Sequence, residues 1–360
     1  MKRDTVYIAI TNHGFGHAVR AASVAQAIKE LNPDLLLILV TTAPRWLLES
    51  YIEADFIHRP RAFDVGVIQK DSLTMDKAAT LAAMSEIRER QEQIIASEAD
   101  FIRTNDVGLV LADIPPLAAP IARAAGVPCW MMSNFGWDFI YGDWGEEWEE
   151  MADWISSCYG QCARLFRLPM YEPMKAFPQI IDTGLTGGTP KYKEAQLRAD
   201  FNLTAPKEKT VLLTFGGFGL AEIPYENLAK FPNWQFITFD HRAPNLANLV
   251  KVTERKYRPV DFMPYCCRVV SKPGYSTFAE SLRLGVPIVS LLREGFAESS
   301  LLIEGIRDRS SHQIITSSEF CQGDWDFLNQ PLSPPRKTSP FPSNGTEFIA
   351  QTVVEYFQKL

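Results

Sequence analysis

Two histidines, His13 and His17, bracket a glycine turn in the stretch TNHGFGHAVR, residues 11–20, with Gly14 and Gly16 between them. An imidazole titrates near neutral pH, so a pair flanking such a turn is suited to taking and giving protons. The glycines let backbone approach a bound group closely, and a helix beginning near Ala18 offers its first N–H groups to an anion or oxyanion. The same residues also suit a plainer role, in which the glycines only close a tight turn and the histidines cap the helix. Asp113 ends the apolar run VGLVLA (107–112) and opens ADIPPLAAP. A carboxylate there could hydrogen-bond one of the histidines, fix its tautomer and stabilise the imidazolium that forms when it takes a proton. Alternatively, Asp before Ile-Pro-Pro is an ordinary helix N-cap.

Two further turns lie in the second half. In LLTFGGFGLAE (212–222), Gly216, Gly217 and Gly219 follow an apolar run and precede a helical pattern. That is the form of a phosphate-cradling loop, without the Walker lysine and without GxGxxG spacing. The stretch KPGYSTFAE (272–280) is more specific. Gly274 permits close backbone approach, Ser276 and Thr277 add hydroxyls to the N–H groups of a helix start, and Glu280 lies one turn along, where a carboxylate accepts from two vicinal hydroxyls. Diphosphate and ribose fit that arrangement together; a capping box of Ser/Thr followed by Glu would explain part of it. A DxD pair, Asp324 and Asp326 in GDWDF, sits late among loop residues and reads as solvated surface, so no metal site is expected there. No GxSxG, HExxH or CxxC is present.

These turns need strands and helices to hold them. Short, nearly all-apolar runs alternate with amphipathic stretches, the pattern of parallel strands covered by helices on both faces. The first half has such runs at residues 6–10, 35–40, 107–112 and 127–132, with helical spacing over 18–31 and 117–126, where Gly126 is a helix stop. TGLTGGTPK (183–191) breaks the pattern with three glycines and a proline and is expected to be a linker. A second series follows at 210–215, 235–239, 268–271 and 287–291, repeating the first architecture. The expected organisation is a domain over 1–182, the linker 183–191, a second domain over 192–335 and a terminal helix over 343–360, begun by a capping Thr346 and packing on one of the domains. Two domains imply a cleft.

Composition sets limits on partners. With 36 Lys plus Arg against 43 Asp plus Glu, the net charge is −7 and no basic run could neutralise a phosphate backbone, so nucleic acid is not an expected partner. At 46% hydrophobic and 22% charged residues, a chain of 360 residues can bury two full cores. The six cysteines show no metal-ligand spacing and suit a reducing compartment. The apolar run at the amino terminus is too short for a signal peptide, and no segment approaches the roughly 18 to 20 apolar residues of a membrane span. The expected location is the cytoplasm, with a peripheral seat on a membrane's cytoplasmic face left open.

Taken in order, the turns resemble those of the GT-B glycosyltransferases over nearly the whole chain, closest to the MurG-like and UDP-glycosyltransferase branches. The implied fold is α/β, two facing Rossmann-like domains with parallel sheets and a C-terminal helix packing back. GVPIVSLLREGFAES (285–299) resembles the stretch after the donor box, which in those families ends in an acidic residue and Gln; Glu298 and Ser299 stand there, and the missing Gln leaves the transferred sugar open. By the same resemblance His17 matches the general base on the acceptor hydroxyl and Asp113 its supporting aspartate, an aspartate that MurG-like enzymes lack. Gly217 and Phe218 match the diphosphate loop, Gly274 to Thr277 a second phosphate contact, Glu280 the ribose-binding glutamate, and YRPVDFM (257–263) the place where backbone groups hold the base. HGFGHAVR, NFGWDFIY (134–141) and PGYSTFAE together also resemble the glycosyltransferase-like amino-terminal half of plant-type L-arabinokinases, without the kinase half.

The expected reaction is an inverting, metal-independent transfer from a nucleotide sugar, with UDP the expected nucleotide, to an acceptor hydroxyl. No cofactor is expected beyond that co-substrate. Expected catalytic residues are His17 and Asp113; expected donor contacts are Gly216, Gly217, Phe218, Lys272, Gly274, Tyr275, Ser276, Thr277, Glu280, Glu298 and Ser299; expected acceptor contacts are His13, Gly14, Asn134 and Trp137. Trp137, Trp144, Trp148 and Trp154 could stack a small-molecule or glycan acceptor or grip a lipid carrier, with at least two of the four serving as core. The alternatives are a nucleotide-sugar 2-epimerase and a sugar-nucleotide sensor that turns nothing over.

Overall fold

The computed structural model describes residues 4–69, 75–216, 220 and 223–359. The chain divides into two compact units, one formed by residues up to Gly187 together with those from Pro342 onward, the other by Gly188–Phe341. Gly217 and Phe218, expected at the diphosphate, lie outside the described residues.

The first unit is built on seven parallel strands: β1 (Thr5–Ile10), β2 (Leu36–Val40), β3 (Ile57–Arg59), β4 (Val107–Asp113), β5 (Cys129–Ser133), β6 (Arg164–Arg167) and β7 (Ile180–Asp182), in the order β3-β2-β1-β4-β5-β6-β7. Every residue of β1 is buried, the consequence of helices on both faces of a sheet whose central strands are apolar throughout. The strand order reverses between β1 and β4, and in such sheets the crevice for ligands opens at the carboxyl ends of the two strands where it reverses. Ile10 pairs with Asp113 in the register, so the histidine turn and the aspartate leave the sheet side by side.

The second unit repeats the plan with β8 (Thr210–Leu213), β9 (Gln235–Thr238), β10 (Leu249–Lys251), β11 (Arg268–Ser271), β12 (Ile288–Leu291) and β13 (His312–Ile315), in the order β10-β9-β8-β11-β12-β13, all parallel. Its reversal falls between β8 and β11, whose exits carry Gly216 and the segment from Lys272 to Thr277.

The glycine-rich stretch is held from both sides. Within the first unit, the Gly187 N–H donates to Thr346 Oγ1 at 3.1 Å, and a Cβ on Gly345 would lie 2.0 Å from the Gly184 carbonyl oxygen, so the chain packs there at a distance only glycine permits. Within the second unit, Glu280 and Asp261 accept from the backbone N–H groups of Gly188 and Lys191, each at 2.9 Å. The terminal helix Gly345–Gln358 packs against the helix Gly16–Leu31 of the first unit. One expectation is corrected here. Thr346 is not the cap of that helix, because the cap is Asn344 and the threonine hydroxyl is engaged with Gly187. Among the described residues no helix is long and apolar enough to cross a membrane.

Candidate functional site

In the first unit, the turn after β1 ends in the helix Gly16–Leu31, which starts two residues before Ala18 and is capped by Phe15 with no side-chain bond. His17 therefore lies in the first turn of the helix, and neither histidine is its cap. Its Nδ1 is 2.8 Å from Asp113 Oδ1. Asp113 is not an N-cap either, since the helix Ala118–Ala125 begins beyond it at Leu117. Burial works to raise the Asp113 carboxyl, but the Arg20 guanidinium, and then His17, overcome that and hold it below the usual carboxylate range. An ionised carboxylate only accepts, so in that contact Nδ1–H of His17 is the donor, and Arg20 Nη2 lies 3.0 Å from the same ring nitrogen.

Arg20, absent from the sequence reasoning, is the second partner of that carboxylate. Its Nε donates to Asp113 Oδ2 and its Nη2 to Oδ1, while Nη1 donates to Asn134 Oδ1 at 2.9 Å and Nη2 also reaches Ser133 Oγ at 3.0 Å. Arg20 is three residues after His17 on one helix, so both side chains emerge on the same face. That spacing was the available signal. Asp64 was also missed: it is buried, accepts from the Asn12 N–H at 2.8 Å and from the Thr11 hydroxyl, and burial pushes its carboxyl up. It fixes the start of the histidine turn.

His13 Nδ1 accepts from the Val67 N–H at 3.2 Å, and a Cβ on Gly66 would lie 2.3 Å from the His13 Cβ, so that backbone presses on the histidine. Gly14 takes a positive φ of 58°, which makes the turn a glycine requirement. Asn134 and Trp137, expected to touch an acceptor, are both 0% exposed. Asn134 serves Arg20, and Trp137 donates Nε1–H to Thr11 Oγ1 at 3.0 Å and packs its ring against His13 and His17. Trp144, Trp148 and Trp154 are buried as well, so all four tryptophans of this segment are core.

In the second unit, Gly216 has a positive φ of 74°, and a Cβ there would lie 3.8 Å from Lys272 Cε, which brings the turns after β8 and β11 together. The helix Tyr275–Arg283 is capped by Gly274 with no side-chain bond, which places Ser276 and Thr277 inside its first turn and excludes a capping box with Glu280. The first N–H groups and the dipole at a helix start of this kind favour negative charge. Glu280 is buried, and burial raises its carboxyl to about 7. Glu298 and Ser299 open the helix Glu298–Arg309 and are buried. Asp324 pairs with Lys230 and is exposed, as is Asp326, and among the described residues no group of three or more His, Cys, Asp or Glu could hold a metal ion.

No family model matches the chain. The solved structures it is similar to include the calicheamicin glycosyltransferase CalG4, with TM-score 0.62, 13% identity and 100% of both chains covered. They also include a UDP-GlcNAc 2-epimerase from Neisseria meningitidis bound to UDP-GlcNAc, with TM-score 0.60, 16% identity, and 98% of this chain and 100% of that one covered. The chain adopts the GT-B fold. Among curated proteins it is 29% identical over 306 residues to L-arabinokinase of Arabidopsis thaliana, a match that covers 81% of this chain and spans 28% of that protein's length. In open parallel sheets the crevice for a ligand opens where the strand order reverses, and here those reversals lie between β1 and β4 and between β8 and β11.

Proposed function

We propose that the protein transfers a sugar from a nucleoside-diphosphate sugar to an acceptor hydroxyl, with UDP as the nucleotide, inverting the anomeric carbon and needing no metal ion. The observation that carries this reading is the 2.8 Å contact between His17 Nδ1 and Asp113, because an imidazole that donates through Nδ1 would offer Nε2 as the base. In the reaction Nε2 takes the acceptor's hydroxyl proton, the acceptor oxygen bonds to the anomeric carbon, and the bond from that carbon to the diphosphate oxygen breaks. Asp113 steadies the resulting imidazolium. The first N–H groups of the helix Tyr275–Arg283 and the Lys272 ammonium would take the charge left on the diphosphate. The likeness to an epimerase with UDP-GlcNAc bound supports the choice of nucleotide and also favours a second reading, epimerisation or hydrolysis of the donor with no acceptor.

One experiment separates them. The protein is incubated with UDP-, GDP- and dTDP-sugars, with and without cell lipid extract, and nucleotide release is followed. Transfer predicts release that depends on the extract and survives EDTA; an epimerase gives altered or hydrolysed donor without it, and binding with no turnover identifies a sensor. His17→Ala is expected to lower turnover by about 10²- to 10⁴-fold while the melting temperature stays within a few degrees of wild type. Full turnover in that variant refutes the role of His17.

A further inference from the structure

Arg293 stands out among the buried polar groups that the proposed reaction leaves unused. Its Nε and Nη2 are both buried and without a hydrogen-bond partner among the described residues, where no other side chain has two such atoms. A guanidinium has no uncharged form at neutral pH, so unmet donors of this kind are costly unless a ligand supplies the acceptors. Burial lowers the Arg293 pKa to about 10, a sign that its surroundings do not compensate the charge. The nearby Glu298 carboxylate offsets part of that effect but is not an acceptor for either nitrogen.

The position is that of a ligand contact. Arg293 follows β12 by two residues, at the carboxyl edge of the sheet, and β12 pairs with β11, whose exit carries Lys272 and the helix capped by Gly274. The guanidinium carbon sits 4.3 Å from the centroid of the Phe296 ring, which supports the group against one apolar face. The Ser299 N–H donates to the Phe296 carbonyl at 2.9 Å, so the same turn leads into the helix Glu298–Arg309. The Ser299 hydroxyl is itself buried and, among the described residues, without a partner. Three unmet polar atoms therefore belong to one turn and the start of one helix.

We propose that Arg293, with the Ser299 hydroxyl six residues further along the chain, binds an oxyanion of the nucleotide sugar, either a phosphate of the diphosphate or a carboxylate on the sugar. This rests on the donor reading given above. A fork of N–H donors matches either anion in two-point contact, which an ammonium cannot reproduce.

The test compares wild type, Arg293→Met and Arg293→Lys by calorimetric titration with UDP, UDP-glucose, UDP-glucuronate, and the GDP and dTDP counterparts of the first, together with melting curves of the unliganded proteins. Arg293→Met keeps the packing over Phe296 and removes an uncompensated charge, so its unliganded melting temperature should rise while affinity falls about tenfold or more. Arg293→Lys should recover only part of that affinity. A loss shared by UDP and UDP-glucose identifies the diphosphate as the partner; a loss confined to UDP-glucuronate identifies the sugar carboxylate. Wild-type binding that Arg293→Met leaves unchanged overturns this inference and spares the donor reading. A wild type that binds none of these nucleotides overturns the donor reading, and the inference with it.

Discussion

Asp113 in the first unit and Glu280 in the second are both buried carboxylates near a strand-to-helix turn, yet their surroundings drive them in opposite directions. Asp113 is held below the usual range against its burial, because the Arg20 guanidinium grips both of its oxygens and His17 adds a third contact. Glu280 is raised by burial to about 7, with the Gly188 N–H, Arg258 and Arg283 offsetting only part of that cost. The difference lies in the partner, not in the depth. A fixed charge would suit the orienting role proposed for Asp113, whereas a carboxyl raised toward neutrality lets the hold on Gly188 respond to pH.

Breaking the Asp113 pair should have the largest effect. Asp113→Ala leaves Arg20, 1% exposed, as a buried charge without its carboxylate, and the expected loss of stability is about 3–5 kcal/mol by urea unfolding. Asp113→Ala combined with Arg20→Met should recover most of it, because an apolar pair of similar volume removes both charges together. The pH dependence has a definite sign. The folded-state value of Asp113 is depressed, so its contribution is present above the ordinary carboxylate range and is lost as pH falls through the folded value. If the double variant is no more stable than Asp113→Ala alone, Arg20 is not what sets this carboxylate apart from Glu280.

The second unit should show the reverse behaviour. A carboxyl whose folded value is raised favours the native state when protonated, so its contribution is complete below the unfolded value and is lost as pH rises through about 7. Across that window, wild type should lose roughly 3 kcal/mol from this group alone. Glu280→Gln keeps an acceptor for the Gly188 N–H, at 2.9 Å in the wild type, and cannot titrate. Its stability should therefore exceed that of wild type at pH 8 and match it near pH 4, as measured by melting across that range. Parallel pH profiles for the two proteins would remove the contrast between the carboxylates.

The features that were legible in the sequence are those that local pattern encodes. Val6 to Ile10 and Leu35 to Val40 are apolar throughout, and each supplies a central strand; β3 (IHR), β7 (IID) and β10 (LVK) have three residues each and carry no periodicity to read. His17 and Asp113 could be paired because each lies at a strand exit that the parallel pattern brings together. Arg20 was legible only in part: its spacing from His17 was visible, but an arginine on a helix is far more often solvated than buried. Asp64 lies in irregular chain 52 residues from Asn12, and Glu280 meets a backbone group 92 residues away, so both partnerships belong to tertiary structure alone. The tryptophans of residues 137–154 gave the right composition for a binding surface and the wrong exposure, since composition does not say which way a ring faces.

The smallest expected effect tests how tightly the first unit's polar groups are coupled. Trp137 Nε1–H donates to Thr11 Oγ1, which in turn donates to Asp64. Trp137→Phe keeps a ring against His17 and removes one donor, so it should cost about 1 to 2 kcal/mol, most of it from one lost hydrogen bond and a small void. Thr11→Val removes the hydroxyl that joins the other two groups. In a coupled chain the losses overlap, because once the hydroxyl is gone the indole N–H has no acceptor left to lose, and the double variant should fall short of the sum by about 1 kcal/mol. Simple additivity in urea unfolding would mean that Asp64 and Trp137 are satisfied independently, and that the order of the first unit rests on Arg20 and Asp113 rather than on a connected network.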